Sequence, residues 1–230
     1  MHHRRGSVLL FICLCLLLWR GLAIAESAAP PQLSCEHRTL LFDISREHVP
    51  PRYNAVIEVR NTGDCAILLG YSELCIEDSS GHLIAVENSS AVYHQPSIIA
   101  PGESGYYHAS AIELPANLDT DAEYHPVVDP SSIRPSSADD IVDCSIEDVS
   151  FPEGDYSEII GRIINPTDEY LEAVDVLWLG LNADGSVVCA AGTMIDVAAN
   201  GSAVFDIVNY PALQQNDICD YRMVARKVVF

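Results

Sequence analysis

The chain has 230 residues, 33 acidic against 12 basic, and a formal net charge of −21. So acidic a surface repels phosphates, which argues against nucleic acid and anionic membranes as partners and favours cations and basic proteins. Apolar residues make up 49% of the chain, too many for a disordered polyanion.

The chain opens with a short basic start, Met1-His2-His3-Arg4-Arg5, and an unbroken apolar run from Val8 to Trp19. Gly21-Leu22-Ala23-Ile24-Ala25 follows, with small residues where a signal peptidase needs them. The apolar run is well short of the roughly 20 residues that cross a bilayer. A signal peptide over 1–25, cleaved after Ala25, is therefore expected. It predicts a secreted, extracellular protein with no membrane insertion after cleavage. Cys13 is not a lipidation site, because Ile12 precedes it and it lies deep inside the run. After cleavage nine basic residues face 33 acidic ones, and Lys227 is the only lysine.

Beyond Ala25 the chain repeats itself. Tyr53 to Asp64 (YNAVIEVRNTGD) aligns with Ser157 to Asp168 (SEIIGRIINPTD). Each is an alternating strand ending in Asn, at Asn61 and Asn165, followed by a polar turn. Twenty residues after each Asn comes a turn glycine, Gly81 and Gly185, and then an apolar run. Ala100-Pro101-Gly102-Glu103-Ser104 matches Ala199-Asn200-Gly201-Ser202-Ala203, and both copies close on an acid, a tyrosine and a β-rich tail. In the first copy Tyr53, Ala55, Ile57 and Val59 share one face; Ile159, Gly161 and Ile163 take that face in the second. Leu171 to Leu181 is apolar on both sides, as in the middle of a sheet packed between layers. No helix-period segment with caps occurs. The expected class is all-β, as two tandem β-sandwiches: repeat 1 over 26–128, a Pro/Ser/acidic linker over 129–143, and repeat 2 over 144–230.

Strand–Asn–turn, a second turn at Asp78 or Asp184, an apolar run, then Pro-Gly-Glu or Asn-Gly-Ser before Tyr106 or Phe205 together form a layout. It resembles the FxLYD-type immunoglobulin-like domains of bacterial secreted proteins. The resemblance covers most of 35–130 and 144–230. The F-x-L-Y-D string itself is absent; Leu74-Cys75-Ile76-Glu77-Asp78 and Leu179-Gly180-Leu181-Asn182-Ala183-Asp184 stand there. The resemblance implies an immunoglobulin-like fold and a non-enzymatic role.

Six cysteines follow Ala25: Cys35, Cys65, Cys75, Cys144, Cys189 and Cys219. An even count in an oxidising compartment reads as structural disulfides. Cys144–Cys219 is the first expected pair, between the first and last strands of repeat 2. Cys65–Cys75 is the second, leaving Cys35 and Cys189 to bridge the repeats or stay reduced.

No catalytic residue and no cofactor follows from the motifs. Gly102-Glu103-Ser104-Gly105 is one residue short of a nucleophile elbow and reads as a turn. Asn182-Ala183-Asp184-Gly185 fails as a calcium loop, because Thr193 stands where the bidentate Glu belongs. A looser calcium site in the acidic stretch Asp139-Asp140…Asp143…Glu147-Asp148 stays open, so the metal assignment is unknown. His37, His48, His82, His94, His108 and His125 are scattered and read as solvated. Trp178 reads as core, and Tyr106-Tyr107 with Tyr93 as an exposed aromatic patch. The leading expectation is a non-catalytic binding or structural module for a protein or cell-wall polymer, its oligomeric state unknown. The alternative is a hydrolase or metal-dependent enzyme with a site in the inter-domain cleft.

Overall fold

The computed structural model of the chain describes residues 31–43, 52–87, 92–113, 119, 122–129, 132–152, 157–208 and 218–229. The expected signal segment and His48 lie outside them. Apart from 3-10 turns, the regular structure of the described residues is β-strand, with antiparallel pairing in every sheet and no α-helix among them.

Strands β1 (Leu33–Asp43), β2 (Arg52–Asn61), β8 (Ser104–Glu113) and β6 (Tyr93–Gln95) form one sheet in the order β1-β2-β8-β6. It is faced by two three-stranded sheets. One is β5 (Leu83–Glu87), β4 (Leu74–Asp78) and β9 (Tyr124–Val128); the other is β10 (Arg134–Ser136), β3 (Ala66–Leu68) and β7 (Ile98–Ile99). Between them lie Ala55, Ile57 and Val59 of β2, with Ile67, Leu74, Ile76 and Tyr107. The alternation expected for β2 thus puts its apolar face inward.

The second half has the sheet β11 (Ser145–Ser150), β12 (Glu158–Ile164), β15 (Ser202–Val208) and the sheet β14 (Val187–Val197), β13 (Leu171–Leu181), β16 (Asp220–Lys227). Ile159 and Ile163, Val174, Val176 and Trp178, and Phe205 and Ile207 fill the space between them. Gly161 keeps the inner period of β12, because a Cβ there would sit 2.4 Å from the Phe205 ring. Trp178 is fully buried, as expected.

The two repeat asparagines make matching bonds. Asn61 Nδ2 donates to Cys65 O and Ile99 O, and Gly63 N donates to Asn61 Oδ1. Asn165 Nδ2 donates to Glu169 O, Val197 O and Ala198 O, and Thr167 N donates to Asn165 Oδ1. Each amide plugs the turn behind its strand and ties it to the opposite layer. The second turn repeats too: Asp78 Oδ1 accepts from Ser80 N and His82 N, and Asn182 Oδ1 accepts from Asp184 N and Ser186 N. Gly81 and Gly185 close these turns at φ near +80°, a conformation that favours glycine.

The Pro/Ser stretch between the halves is paired to the first of them. Arg134–Ser136 runs antiparallel to β3 as an edge strand, where Pro135 needs no N–H partner on its outer side. Ser132 Oγ donates to Tyr71 O, and Gly70 allows that approach, since a Cβ there would lie 2.4 Å from Ser132 O. Ser137 then caps a short 3-10 turn, Ala138–Asp140, with Asp140 closing a capping box.

A third apolar cluster joins the halves. Val56 and Tyr106, on the outer face of the first large sheet, pack against Leu177, Leu179, Val187 and Ala190 of β13 and β14. β13 is therefore buried on both faces, with Trp178 toward its own core and Leu177 and Leu179 toward the other half. At about 1.5–3 kcal/mol per fully buried large side chain, this contact is a core in its own right rather than a brushing surface.

Candidate functional site: the cavity between the halves

Beside the shared core the chain buries a polar relay. His108 of β8, Gln95 of β6 and Asp175 of β13 are each at most 4% exposed. His108 Nε2 lies 3.1 Å from Gln95 Oε1, and Gln95 Nε2 donates to Asp175 Oδ1 at 3.0 Å. Because the amide nitrogen is committed to Asp175, the histidine is the donor and its proton sits on Nε2. Asp175 Oδ2 accepts from Ser97 N at 2.9 Å. Burial pushes the Asp175 carboxyl above the ordinary carboxylate range, and its bonds to Gln95 and Ser97 partly offset that. Gly192 of β14 makes room for the relay: a Cβ there would fall 2.0 Å from Gln95 Oε1.

Arg226 lies opposite Asp175 in the β13–β16 pairing, yet its guanidinium turns away. It donates to Glu103 Oε2 at 2.8 Å, to Ile98 O at 2.9 Å and to Asp143 Oδ1 at 2.6 Å. The guanidinium holds the Glu103 carboxyl below its usual range. The Gly102–Gly105 segment is thus a turn, and its glutamate clamps the first half to β16. On the other side of the shared core, Arg222 donates to Tyr106 Oη, which donates to Glu58.

A cavity of about 400 Å³ opens onto the relay. Gln95, Ser97 and Asp175 line its buried end, Tyr71, Tyr93 and His94 its aromatic side, and Met194 and Val228 its apolar side. Tyr71 meets His94 edge to face at 4.9 Å, and Tyr93 stacks on His108 at 5.3 Å. Ser, His and Asp are thereby drawn together, as in acyl-transfer sites. No hydrogen bond joins either ring to the Ser97 hydroxyl, so the nucleophile–base contact of such a site is not made.

Two sequence expectations need correction. Tyr106 and Tyr107 are 2% and 0% exposed rather than an open patch; only Tyr93 of that group is exposed. Adjacent residues in a strand point to opposite faces, and here one face meets the core and the other meets the second half. His108 is buried for the same reason and His94 partly so, whereas His37 and His82 are exposed as expected.

The six cysteines carry no disulfide. Cys144 N donates to Ala225 O near the end of β16, and Cys219 N donates to Leu181 O before its start. At about 3.3 Å per residue, six residues of strand separate the two by roughly 20 Å. A disulfide needs Cα atoms within about 7 Å. The expected Cys144–Cys219 pair is therefore not formed. Cys65 precedes β3, and Cys75 alternates with the buried Leu74 and Ile76, pointing off the outer face of β4, so they are not bridged either. Cys35 is exposed on β1, and Cys189 is buried against Gly180, where burial pushes its thiol up to about 12.

The acidic stretch considered for calcium is dispersed. Asp140 caps its turn, Asp143 pairs with Arg226, and Glu147 and Asp148 both pair with Arg162. Among the described residues no three His, Cys, Asp or Glu side chains converge as a metal site. No known protein-family pattern matches the chain, and no curated relative is found for it.

The relay has a pH signature. Burial, with the like charge of His94 second, holds the His108 ring down to about 3, from an ordinary 6.5. The unfolded chain gains a proton there below pH 6.5, and the folded chain does not until about 3. Stability from this group is complete above pH 6.5 and falls toward pH 3, by up to about 1.4 kcal/mol per unit. His94, also lowered by burial, acts in the same direction; Asp175, raised, acts in the opposite one. The urea midpoint is expected to drop between pH 7.5 and 5.5, and to drop much less in His108→Gln. Equal drops in both proteins would remove His108 as the cause.

Proposed function

We propose that this chain is a secreted, non-catalytic binding module made of two immunoglobulin-like halves, exported by cleavage after Ala25. The halves are locked face to face, so that one preformed cavity is held between them. What supports this reading is the shared core of Val56, Tyr106, Leu177 and Leu179 beside the His108–Gln95–Asp175 relay. A rigid joint of that kind fixes a pocket in the size range of small-molecule sites. The acidic charge supports a partner that is cationic or neutral rather than anionic.

The test has two readouts. Protein exported from a bacterial host should have an intact mass beginning at Glu26. A thermal-shift panel of amines, carboxylates, sugars and divalent cations should raise the melting temperature for at least one class, with that compound recovered unchanged. Consumption of the compound would make the chain an enzyme at the same cleft, and a flat response to every class would defeat the small-ligand reading.

A further inference from the structure

Asp175 is a buried carboxylate without a counter-ion. Its neighbours are neutral: the Gln95 amide and the Ser97 N–H donate to it, the Ser97 hydroxyl lies beside it, and no basic side chain of the described residues pairs with it. A carboxylate has about four acceptor positions, and these neighbours do not fill them all. Buried charges in folded proteins are normally paired, because desolvation is otherwise uncompensated. Arg226, the nearest basic residue in register, is already held by Glu103, Asp143 and Ile98 O. Ser97 lines the same cavity; the residue is only 4% exposed, and its hydroxyl is buried beside the Asp175 carboxyl without a hydrogen bond of good geometry. The vacant capacity there is the remaining acceptor positions of the carboxylate and the Ser97 hydroxyl, with His94 Nδ1 buried and without a hydrogen-bond partner on the same cavity.

The walls between that end and solvent suit the rest of such a ligand. Tyr71, Tyr93 and His94 present ring surface, Met194 a polarizable thioether, and Val92 and Val228 carbon. Ring faces attract cations, most strongly where water is excluded. The field of a chain at −21 concentrates cations around it. Among the described residues that line this cavity Arg134 is the only arginine or lysine, and it is exposed at the rim, where salt screens it within about 10 Å.

Resting on the small-ligand reading above, we propose that the cavity binds a small organic ammonium ion. Its charged nitrogen sits at Asp175 and the Ser97 hydroxyl, and its apolar body lies between Tyr71, Tyr93, His94 and Met194.

The test titrates the full exported chain at pH 7.5 with three probes of one shape: phenethylamine, phenethyl alcohol and phenylacetate. The amine is expected to bind at least about tenfold more tightly than either of the others, the ratio that 1.4 kcal/mol of charge recognition produces. Asp175→Asn should remove that preference. Tyr71→Ala, at a ring 71% exposed, should weaken the amine several-fold without moving the urea midpoint. Arg134→Ala should leave amine binding equal or tighter. Equal affinity for amine and alcohol, or preference for phenylacetate, overturns the ammonium assignment while leaving a small-ligand pocket. Failure of all three probes, with another class positive in the thermal-shift panel, overturns it equally. Failure of every compound removes both readings.

Discussion

Asn165→Ala is expected to lower the unfolding free energy by about 3–5 kcal/mol, as several buried hydrogen bonds of roughly 1 kcal/mol each are lost and their carbonyls left unsatisfied. The residue is 1% exposed. Its amide donates to Glu169 O at 2.7 Å, Ala198 O at 3.0 Å and Val197 O at 3.4 Å, and its carbonyl accepts from Thr167 N at 2.9 Å and Thr167 Oγ1 at 2.8 Å. Of those carbonyls Glu169 O has a second side-chain donor, Thr167 Oγ1 at 3.3 Å. Asn165→Asp should cost more than Asn165→Ala, although it is nearly isosteric, because it turns a carboxylate oxygen toward three carbonyl oxygens. Urea unfolding of the three proteins at pH 7.5 decides this. An aspartate variant as stable as the asparagine protein would mean that the amide donors are not what holds the turn. Asn61, which donates to two carbonyls rather than three, should show the same order with a smaller effect.

Trp178→Ala is expected to cost about 3–5 kcal/mol, the range for deleting a large buried aromatic side chain. Trp178 is fully buried in the second core. Gly180, two residues on along the same face, leaves room for its ring: a Cβ there would fall 2.8 Å from Trp178 Cη2 and 2.7 Å from Cys189 Sγ. Truncation leaves a void that flanking Val174, Val176 and Phe205 cannot fill without leaving their own contacts. Trp178→Phe should recover roughly half of the loss, since it restores most of the carbon volume. In a chain that begins at Glu26 this is the only tryptophan, so its fluorescence there reports directly on the site. Emission should be blue-shifted in the folded protein and move red on unfolding. A red-shifted folded spectrum, or an alanine variant with an unchanged midpoint, would contradict the packing described.

Much of this architecture was readable from residue order. The period-two pattern of β2 and β12 put Ala55, Ile57, Ile159 and Ile163 inward, and each is buried. Leu171 to Leu181 read as a strand covered on both sides, and β13 is one. Asn61 and Asn165 were visible as repeat landmarks, because alternation stops there and a polar turn begins. These features are local: a strand's period, a turn's residue types and a repeat's spacing all lie within a few neighbouring positions.

What covered the outer faces was not local, and only the tertiary structure decided it. Periodicity separates the two faces of a strand but does not say whether solvent or another layer meets the second one. Tyr106 and His108 therefore read as open positions, and the second half buries them. Asp175 carried the one clue, an acid flanked on both sides by Val174 and Val176 within an apolar run. Gln95 and Gly192 carried none, since each acquires its role from a contact across the chain. The cysteines behave likewise: an even count speaks for pairing, but whether two sulfurs can meet is a matter of distance. Cys144 and Cys219 lie at opposite ends of β16 because β11 enters the fold beside Ala225. Proximity of distant residues is set by how sheets stack, and stacking depends on the summed shape of many side chains rather than on any short stretch of the chain.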